Sequence, residues 1–194
     1  MAMLLEPFGD LAGFVCWHLW PGMEFGARDF WWSRLPAPQG DQPPARRPGR
    51  HEGVDLHCYR TVTGDLKFVE PGWLVTAPAA GFVVHTHPDF LAHSLYIMHP
   101  DIRWDDRVLY TVYGHVCPEM DPEAGQPVFP TTPVASLPEP VPGSAVPLHL
   151  HVSLAWIRQS FAPKKLSWKL LGDPGVSLLI DPARFFRNAP ERFL

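Results

Sequence analysis

The chain has 194 residues, a formal net charge of −4 and 46% hydrophobic residues, so it is long enough to bury one sizeable core. This mildly acidic balance gives no electrostatic basis for binding nucleic acid or an anionic membrane surface. The apolar run 11–20 is about half of the ~20 residues that span a bilayer, and no basic segment precedes it. We therefore predict a single domain with some additional peripheral segments. We predict neither a signal peptide nor a membrane-spanning segment.

The proline and cysteine content indicates which kinds of fold to expect. The 24 prolines argue against long helices and favour strands joined by irregular loops. Cys16, Cys58 and Cys117 are an odd number without Cys-x-x-Cys spacing, which argues against a disulfide framework but leaves open one bridge with one free thiol. Cys58 is interpreted as a buried apolar thiol rather than a ligand or a nucleophile.

The first 50 residues differ in character from the rest of the chain. Residues 1–35 are rich in aromatic side chains without a clear period, and such a segment must pack against the main domain to stay in solution. For Trp31 and Trp32, covering a sheet face is the favoured interpretation, with lining of a substrate groove as the alternative. Residues 36–50 are proline-rich and polar, which predicts an extended loop or linker.

From residue 73 onward, short apolar runs alternate with turn residues. Each run is rich in β-branched and aromatic residues, which is typical of a strand bounded by turns. Several short strands at this spacing predict an all-β fold, an antiparallel sheet or open barrel with long proline-rich loops. Little helix is expected, and only near 181–188. The predicted strands are 73–77, 82–85, 94–98, 108–113, 148–157 and 176–180.

The strand 148–157 carries a His-x-His pair. Side chains alternate in direction along a strand, so His149 and His151 point to one face while Leu150 points to the other. Two imidazoles side by side on a rigid element can place one nitrogen on a metal ion and the other on whatever that ion holds. Such pairs also occur by chance on surface strands. This pair therefore indicates a metal site only if other residues of the chain supply further ligands.

An upstream segment and a third histidine supply such partners. His51 and Asp55 are four residues apart, which puts the imidazole and the carboxylate on one face whether the segment is helical or extended. Gly53 between them is interpreted as leaving room for an ion or substrate near the backbone. Zinc accepts this ligand set with a fourth position open to water, and His151 is the natural third ligand. His115 follows the fourth predicted strand.

Together these motifs resemble the lysostaphin/LytM-type zinc metallopeptidases. The family pattern is His-x-Gly-x-Asp, then a histidine after a tyrosine-containing strand, then His-x-His, and all three occur in that order at 51–55, 113–115 and 149–151. The resemblance covers roughly residues 51–182, where the segment 75–84 is similar to the strand-turn-strand of the family.

The resemblance implies an activity and a role for each of five residues. His51, Asp55 and His151 would bind one Zn²⁺ per chain, and His115 and His149 would be catalytic histidines that activate the water and steady the tetrahedral intermediate. The implied function is that of a zinc-dependent endopeptidase that hydrolyses peptide bonds, with bacterial peptidoglycan or another peptide as substrate. By family resemblance, the protein would act in the cell envelope or after secretion.

The resemblance also implies domain limits. Residues 1–50 would be an N-terminal extension that packs on or near the groove, residues 51–182 the LytM-type metallopeptidase domain, and residues 183–194 a C-terminal tail. The family usually has a glycine-rich hairpin before its second histidine motif, whereas residues 127–147 are rich in proline here. We therefore expect a rebuilt groove wall, and substrate preference does not carry over from the family.

Two other functions stay open. One is a catalytically silent LytM-like protein that binds peptidoglycan or regulates a hydrolase, and the less favoured one is a histidine phosphocarrier with a related fold. Retention of all five positions argues against the first, and the carboxylate of the first motif argues against the second.

Four further residues are interpreted as having no part in the site. His85 and His87 form a second His-x-His pair, but they precede a proline without a carboxylate motif, so a solvated loop is preferred to a second metal site. Arg46 and Arg47 are interpreted as solvated.

Overall fold

The computed structural model describes residues 8–34, 44–120 and 126–192. Within these ranges the regular secondary structure is almost entirely β-strand, arranged in two sheets. In the same ranges the only α-helix is the single turn α1 (Trp168–Leu171), and 3-10 helices occupy Trp31–Arg34, Pro163–Lys165 and Pro182–Phe185. The strands are β1 (Phe14–Leu19), β2 (Val54–Leu56), β3 (Cys58–Thr61), β4 (Leu66–Phe68), β5 (Leu74–Thr76), β6 (Gly81–Pro88), β7 (His93–Trp104), β8 (Arg107–Pro118), β9 (Pro127–Val128), β10 (Pro133–Ser136), β11 (Leu150–Arg158), β12 (Ser177–Ile180) and β13 (Glu191–Arg192).

The larger sheet has nine strands, and its pairings are antiparallel. Its main path runs β12-β11-β8-β7-β6-β9. β2 adds to one end of β11, while β10 bridges β5 and the end of β8. The long hairpin β7–β8 therefore forms the middle of the sheet, and β11 lies between β8 and both β2 and β12.

The smaller sheet has four strands in the order β13-β1-β3-β4. β1 pairs antiparallel with β3, and the short β13 pairs parallel with β1, so that His18 lies beside Glu191. A segment from the beginning of the chain is thus held between β3 and a segment from its end. This sheet contributes Trp17, Leu19 and Tyr59 to the same buried cluster that receives Val152 from the larger sheet.

The two faces of β11 pack against different parts of the protein. Leu150, Val152 and Leu154 point into the buried cluster shared with the smaller sheet. Ala155 and Ile157 point the other way and pack in a second cluster, which includes Leu171 of α1. Because side chains alternate along a strand, His151 and Ser153 belong to this second face.

The predicted fold class is confirmed: the described residues form an all-β, mainly antiparallel structure with little helix, and their sheets do not close into a barrel. Each of the six predicted strands overlaps an observed one. β7 and β8 are longer than predicted, because much of the polar stretch 101–107 is itself part of the hairpin. Only Asp105 and Asp106 lie between these two strands, and Asp105 has the positive φ of 54° that tight hairpin turns favour.

Some elements were not predicted. β1 was not predicted from the sequence. Trp17, His18 and Leu19 are buried in succession, so this half of the strand lacks the alternation of buried and exposed residues that indicates a strand. The helix predicted near 181–188 is a short 3-10 helix, capped by the Asp181 carboxylate, which accepts a hydrogen bond from the backbone N–H of Ala183 at 3.0 Å. The α-helical turn lies at α1 instead.

Parts of three predicted regions lie outside the described residues. They are most of the proline-rich linker (35–43), the ends of the chain (1–7 and 193–194) and a piece of the loop before the His-x-His motif (121–125). In the part of the chain that the structure describes, we find no helix whose length and apolar character would let it cross a membrane.

Candidate metal and catalytic site

Strand register brings Asp55 and His151 together. Asp55 of β2 lies directly opposite His151 of β11, and opposed residues on one face have Cβ atoms about 5 Å apart. On its other side His151 is opposite Gly114 of β8. A Cβ on Gly114 would lie 3.2 Å from the Cβ of His151 and 3.1 Å from the ring of Trp168. Glycine at this position therefore leaves the space that both rings use.

His51 reaches the same place from the loop before β2. That loop lies directly on β11, because a Cβ on Gly53 would collide with the carbonyl oxygen of Val152. The interpretation that Gly53 leaves room for an ion or substrate is therefore wrong, since the backbone of β11 takes that room. The docked loop places the His51 ring beside the ring of His151, with 4.9 Å between their centroids.

Three possible ligand atoms converge at this point. Asp55 Oδ1 lies 3.0 Å from His51 Nε2 and 2.8 Å from His151 Nδ1, and the two nitrogens are 3.1 Å apart. Tetrahedral zinc with bonds near 2.0–2.1 Å holds its ligand atoms about 3.3 Å apart, so outward shifts of a few tenths of an ångström would accommodate the ion. All three side chains are buried, and the group could hold a metal ion.

Hydrogen bonds of His51, Asp55 and His151 with residues outside this group determine which of their atoms present lone pairs to one another. His51 Nδ1 lies 2.9 Å from the carbonyl oxygen of Glu24, which can only accept, so Nδ1 carries the proton and Nε2 presents a lone pair. Asp55 Oδ2 accepts a hydrogen bond from the indole N–H of Trp31 at 2.9 Å, which leaves Oδ1 turned toward the two histidines. His151 Nε2 is 2.9 Å from a serine hydroxyl that can accept its proton. Three lone-pair atoms then face one another, an arrangement that a cation stabilises.

Burial sets the charge states expected of metal ligands. It lowers the pKa of His151 to about 4, against the opposing effect of the Asp55 hydrogen bond, so the imidazole is neutral near pH 7. Burial also acts to raise the pKa of Asp55, but the neighbouring His51 and His149 outweigh that effect and hold the pKa well below its usual range. A neutral imidazole and an ionised carboxylate are the forms that bind divalent metal ions.

His149 lies immediately before β11 rather than within it. Its Nδ1–H donates to the carbonyl oxygen of Pro147 at 2.8 Å, and its Nε2 lies 3.6 Å from Asp55 Oδ1. Burial lowers the pKa of His149 to about 3, although Asp55 opposes this shift. The ring is therefore neutral near pH 7, with a lone pair on Nε2 directed at the cluster of ligand atoms.

His115 completes the group and is oriented by Asp89. Its φ of 64° is left-handed and breaks the regular alternation of β8. One oxygen of Asp89 lies 3.1 Å from His115 Nδ1 and the other accepts the backbone N–H of His115 at 2.9 Å. Burial acts to raise the pKa of Asp89, but His115 outweighs it and the pKa falls well below its usual range. The centroids of the His115 and His149 rings are 4.9 Å apart.

Sequence reasoning missed part of the environment of the site. The interpretation of Arg47 as solvated is wrong, because its side chain is 11% exposed and donates to Asp55 Oδ2 at 3.1 Å. Arg46 is 79% exposed and matches the interpretation. Trp31 is buried on the Asp55 carboxylate, a role that neither of its two interpretations included. Nothing in the spacing of these residues could have connected them with Asp55.

Asp89 and Trp168 were also missed. Asp89 lies in a loop after β6 with no local motif around it. The Trp168 ring packs against His151 with 4.9 Å between ring centroids, and its N–H donates to Ser94 Oγ at 2.8 Å. The isolated tryptophan at 168 resembled the other tryptophans of the chain, so only the fold distinguishes it.

The second His-x-His pair lies elsewhere. His85 and His87 are part of β6, so the prediction of a solvated loop is wrong, and His85 is only partly exposed. Among the described residues, the one group of three or more donors that could hold a metal ion is the His51, Asp55 and His151 group.

A cleft lies on one side of the site and a small space on the other. A cleft of about 660 Å³ adjoins His51 and is lined by Arg50, Trp168 and Lys169. On the other side, His115 and His149 border a space of about 10 Å³ against the proline-rich loop, which is room for about one water molecule. A concavity of about 720 Å³ lies elsewhere and contains none of the site residues; it is lined by Tyr59, Phe68, Trp73 and their neighbours.

The cysteines give a prediction about reactivity. All three are free, and the interpretation of Cys58 as a buried thiol is confirmed. Burial raises the pKa of Cys58 to about 12, so roughly 1 in 10⁴ of these thiols is ionised at pH 8. We expect iodoacetamide at pH 8 to alkylate the exposed Cys117 quickly and Cys58 only after unfolding, as read from peptide masses. A denatured sample is the control, and equal labelling of both cysteines in the native protein would contradict the assignment.

Comparison with known proteins finds similarity at the level of a solved structure. No protein-family model matches the chain, and no curated protein matches it. Among solved structures, the chain is similar to the NMR solution structure of lysostaphin, with 19% sequence identity and a TM-score of 0.42. The match covers 73% of this chain and 50% of the lysostaphin chain, so the chain spans about half the length of that protein. Function is therefore inferred from the residues of the site.

Proposed function

We propose that the protein is a zinc-dependent endopeptidase that hydrolyses peptide bonds in bacterial peptidoglycan and acts in the cell envelope or after secretion. The observation that carries this proposal is the convergence of His51 Nε2, Asp55 Oδ1 and His151 Nδ1 within 3.1 Å of one another. Two imidazoles and one carboxylate are a zinc ligand set that leaves a coordination position for water. The order of the three motifs along the chain supports the substrate class, because it resembles that of the LytM-type peptidases.

The residues around the ligands fit hydrolysis. Bound zinc would lower the pKa of its water to about 7 and polarise the scissile carbonyl. His149 presents its Nε2 lone pair beside the ligand atoms and can accept the proton of the attacking water. His115 is held by Asp89 on the far side of His149 and is placed to stabilise the developing oxyanion. His149 and His115 are thus proposed as the catalytic residues.

A second candidate function is metal and peptidoglycan binding without hydrolysis. The observation that favours it is the burial of the site, whose five side chains are between 1% and 7% exposed. The rings of Trp31 and Trp32 lie against His149, with centroids 5.6 Å and 5.8 Å from that of the imidazole. A covered histidine has less access to a long polymer than a histidine in an open groove has.

Metal analysis combined with an activity assay separates these functions. We expect about one zinc per chain by elemental analysis, and release of new amino groups from purified cell wall. A chelator should abolish the release, and added zinc should restore it, because the ligands hold the ion that activates the water. Zinc without hydrolysis would support the second candidate. Absence of bound metal after incubation with zinc would reject both.

A further inference from the structure

We propose that Glu24, Trp31 and Arg47, here called the N-terminal clamp, are an integral part of the metal centre and position its first two ligands. Trp31 is the main positioning residue, because it holds the Asp55 carboxylate with Oδ1 facing the ion. This inference rests on the proposed metal site and not on the proposed hydrolysis.

Backbone hydrogen bonds attach both ligands to the N-terminal segment. His51 N–H donates to Ala27 O, and Gly26 N–H donates to His51 O, each at 2.9 Å. Asp55 N–H donates to Met23 O at 3.0 Å. Residues 23–27, which form a turn, therefore lie against 51–55, and the position of each proposed ligand depends on that contact.

Side-chain contacts then fix how the ligands are turned. Glu24 contributes its carbonyl oxygen to His51 Nδ1, which directs the His51 Nε2 lone pair inward. Trp31 and Arg47 both donate to Asp55 Oδ2, at 2.9 Å and 3.1 Å. Trp31 and Asp55 are each 1% exposed, so water does not compete for these bonds. With Oδ2 engaged by two donors, Oδ1 is the oxygen left for a metal ion.

Arg47 is itself held in place. Its guanidinium carbon lies 4.7 Å from the centroid of the Phe30 ring and 5.5 Å from that of Trp32, which is a cation–π arrangement. Its backbone N–H donates to Arg28 O at 2.8 Å. The guanidinium is thus preorganised before it reaches Asp55. Because its positive charge also opposes a bound cation, its net effect on metal affinity should be smaller than that of the neutral Trp31.

The test is the zinc affinity of the metal-free full-length protein, measured by competition with a chelating dye. Partners that orient metal ligands typically contribute 10–100-fold in affinity, so we expect Trp31→Phe to weaken zinc binding by about that factor. For Arg47→Met, which keeps the stem over the aromatic rings, we expect a smaller but measurable loss of about three- to tenfold. Cobalt in place of zinc should show shifted visible absorption bands in Trp31→Phe, because a turned carboxylate changes the coordination geometry.

Trp17→Phe is the matched control. Trp17 is also 1% exposed and lies in the same N-terminal segment, but its ring contacts are with Phe14, Tyr59 and Trp73 rather than with Asp55. We expect its zinc affinity to stay within about twofold of the unmodified protein. Circular dichroism of the metal-free variants verifies folding, and Arg47→Met carries the test if Trp31→Phe does not fold.

The outcomes separate the two proposals. Equal zinc affinity in Trp31→Phe and Trp17→Phe, with unchanged cobalt bands, would overturn the positioning role whatever the activity of the protein. Loss of affinity in Trp31→Phe together with no release from cell wall by the unmodified protein would reject the proposed hydrolysis and support the clamp. An unmodified protein that binds no zinc would overturn both.

Discussion

Asp55→Asn should abolish metal binding and, with it, all hydrolysis. Asp55 is the anionic member of the proposed ligand group, and its Oδ1 is within 3.0 Å of both histidine nitrogens. The amide keeps the shape of the side chain and can still accept the indole N–H, but it removes the negative charge that offsets the cation. We expect zinc content to fall from about one per chain to nearly zero after dialysis.

Thermal unfolding gives an independent measurement for this variant. A ligand that binds only the folded state stabilises it by about 2.7 kcal/mol at a free concentration 100 times its Kd. Zinc should therefore raise the Tm of the unmodified protein and leave that of Asp55→Asn unchanged. Asp89→Asn is the matched control, because Asp89 is also a buried carboxylate that contacts a site histidine but is not among the convergent ligands. Asp55→Asn that retains zinc like the control would disprove the ligand assignment.

His149→Ala should retain zinc and lose most of its turnover. The His149 Nε2 is 3.6 Å from the ligand oxygen of Asp55, and its ring lies between the ligands and His115. Loss of a general base typically lowers the rate by 10²–10⁴-fold, and we expect kcat for cell-wall hydrolysis to fall in that range. The measurement is kcat and zinc content on the same preparation, because only their combination distinguishes a base from a ligand.

His87→Ala provides the comparison for His149→Ala. His87 is an exposed histidine on β6 whose ring bonds the neighbouring Pro88 carbonyl and touches none of the site residues described above, so its removal should leave both kcat and zinc unchanged. If His149→Ala lost its zinc, His149 would be a ligand. If it kept full turnover, another group would have to accept the proton.

Most of the larger sheet could be predicted, because six of its nine strands are apolar runs punctuated by turn residues. Runs such as 94–98 and 108–113 are buried on both faces, and burial of this kind is visible in the sequence. The smaller sheet could not be predicted in this way. β4 is only partly buried and three residues long, and the three buried residues of β1 follow one another directly, so neither strand produces a clear period.

The candidate site was predictable only where motif spacing determines geometry. The i, i+4 spacing relates His51 to Asp55, and the His-x-His spacing relates His149 to His151. About 100 residues separate the two pairs in the sequence. They are brought together by the pairing of β2 with β11, which places Asp55 opposite His151. β2 is only three residues long, and no sequence pattern predicted it. Trp31 reaches Asp55 through one hydrogen bond between residues 24 positions apart, and Asp89 reaches His115 across 26 positions. Polar contacts of this kind have no periodic signature in a sequence.

The attachment of residues 23–27 to 51–55 determines what truncation of the chain would do. A protease that cut within the linker and released the preceding residues would remove the strand partner of β3 and the donor on Asp55 together. Such trimming would remove contacts that hold both His51 and Asp55 in place. If the metal centre is as proposed, removal of these residues should weaken zinc binding, which is the opposite of the activation that follows release of a blocking segment from a zymogen.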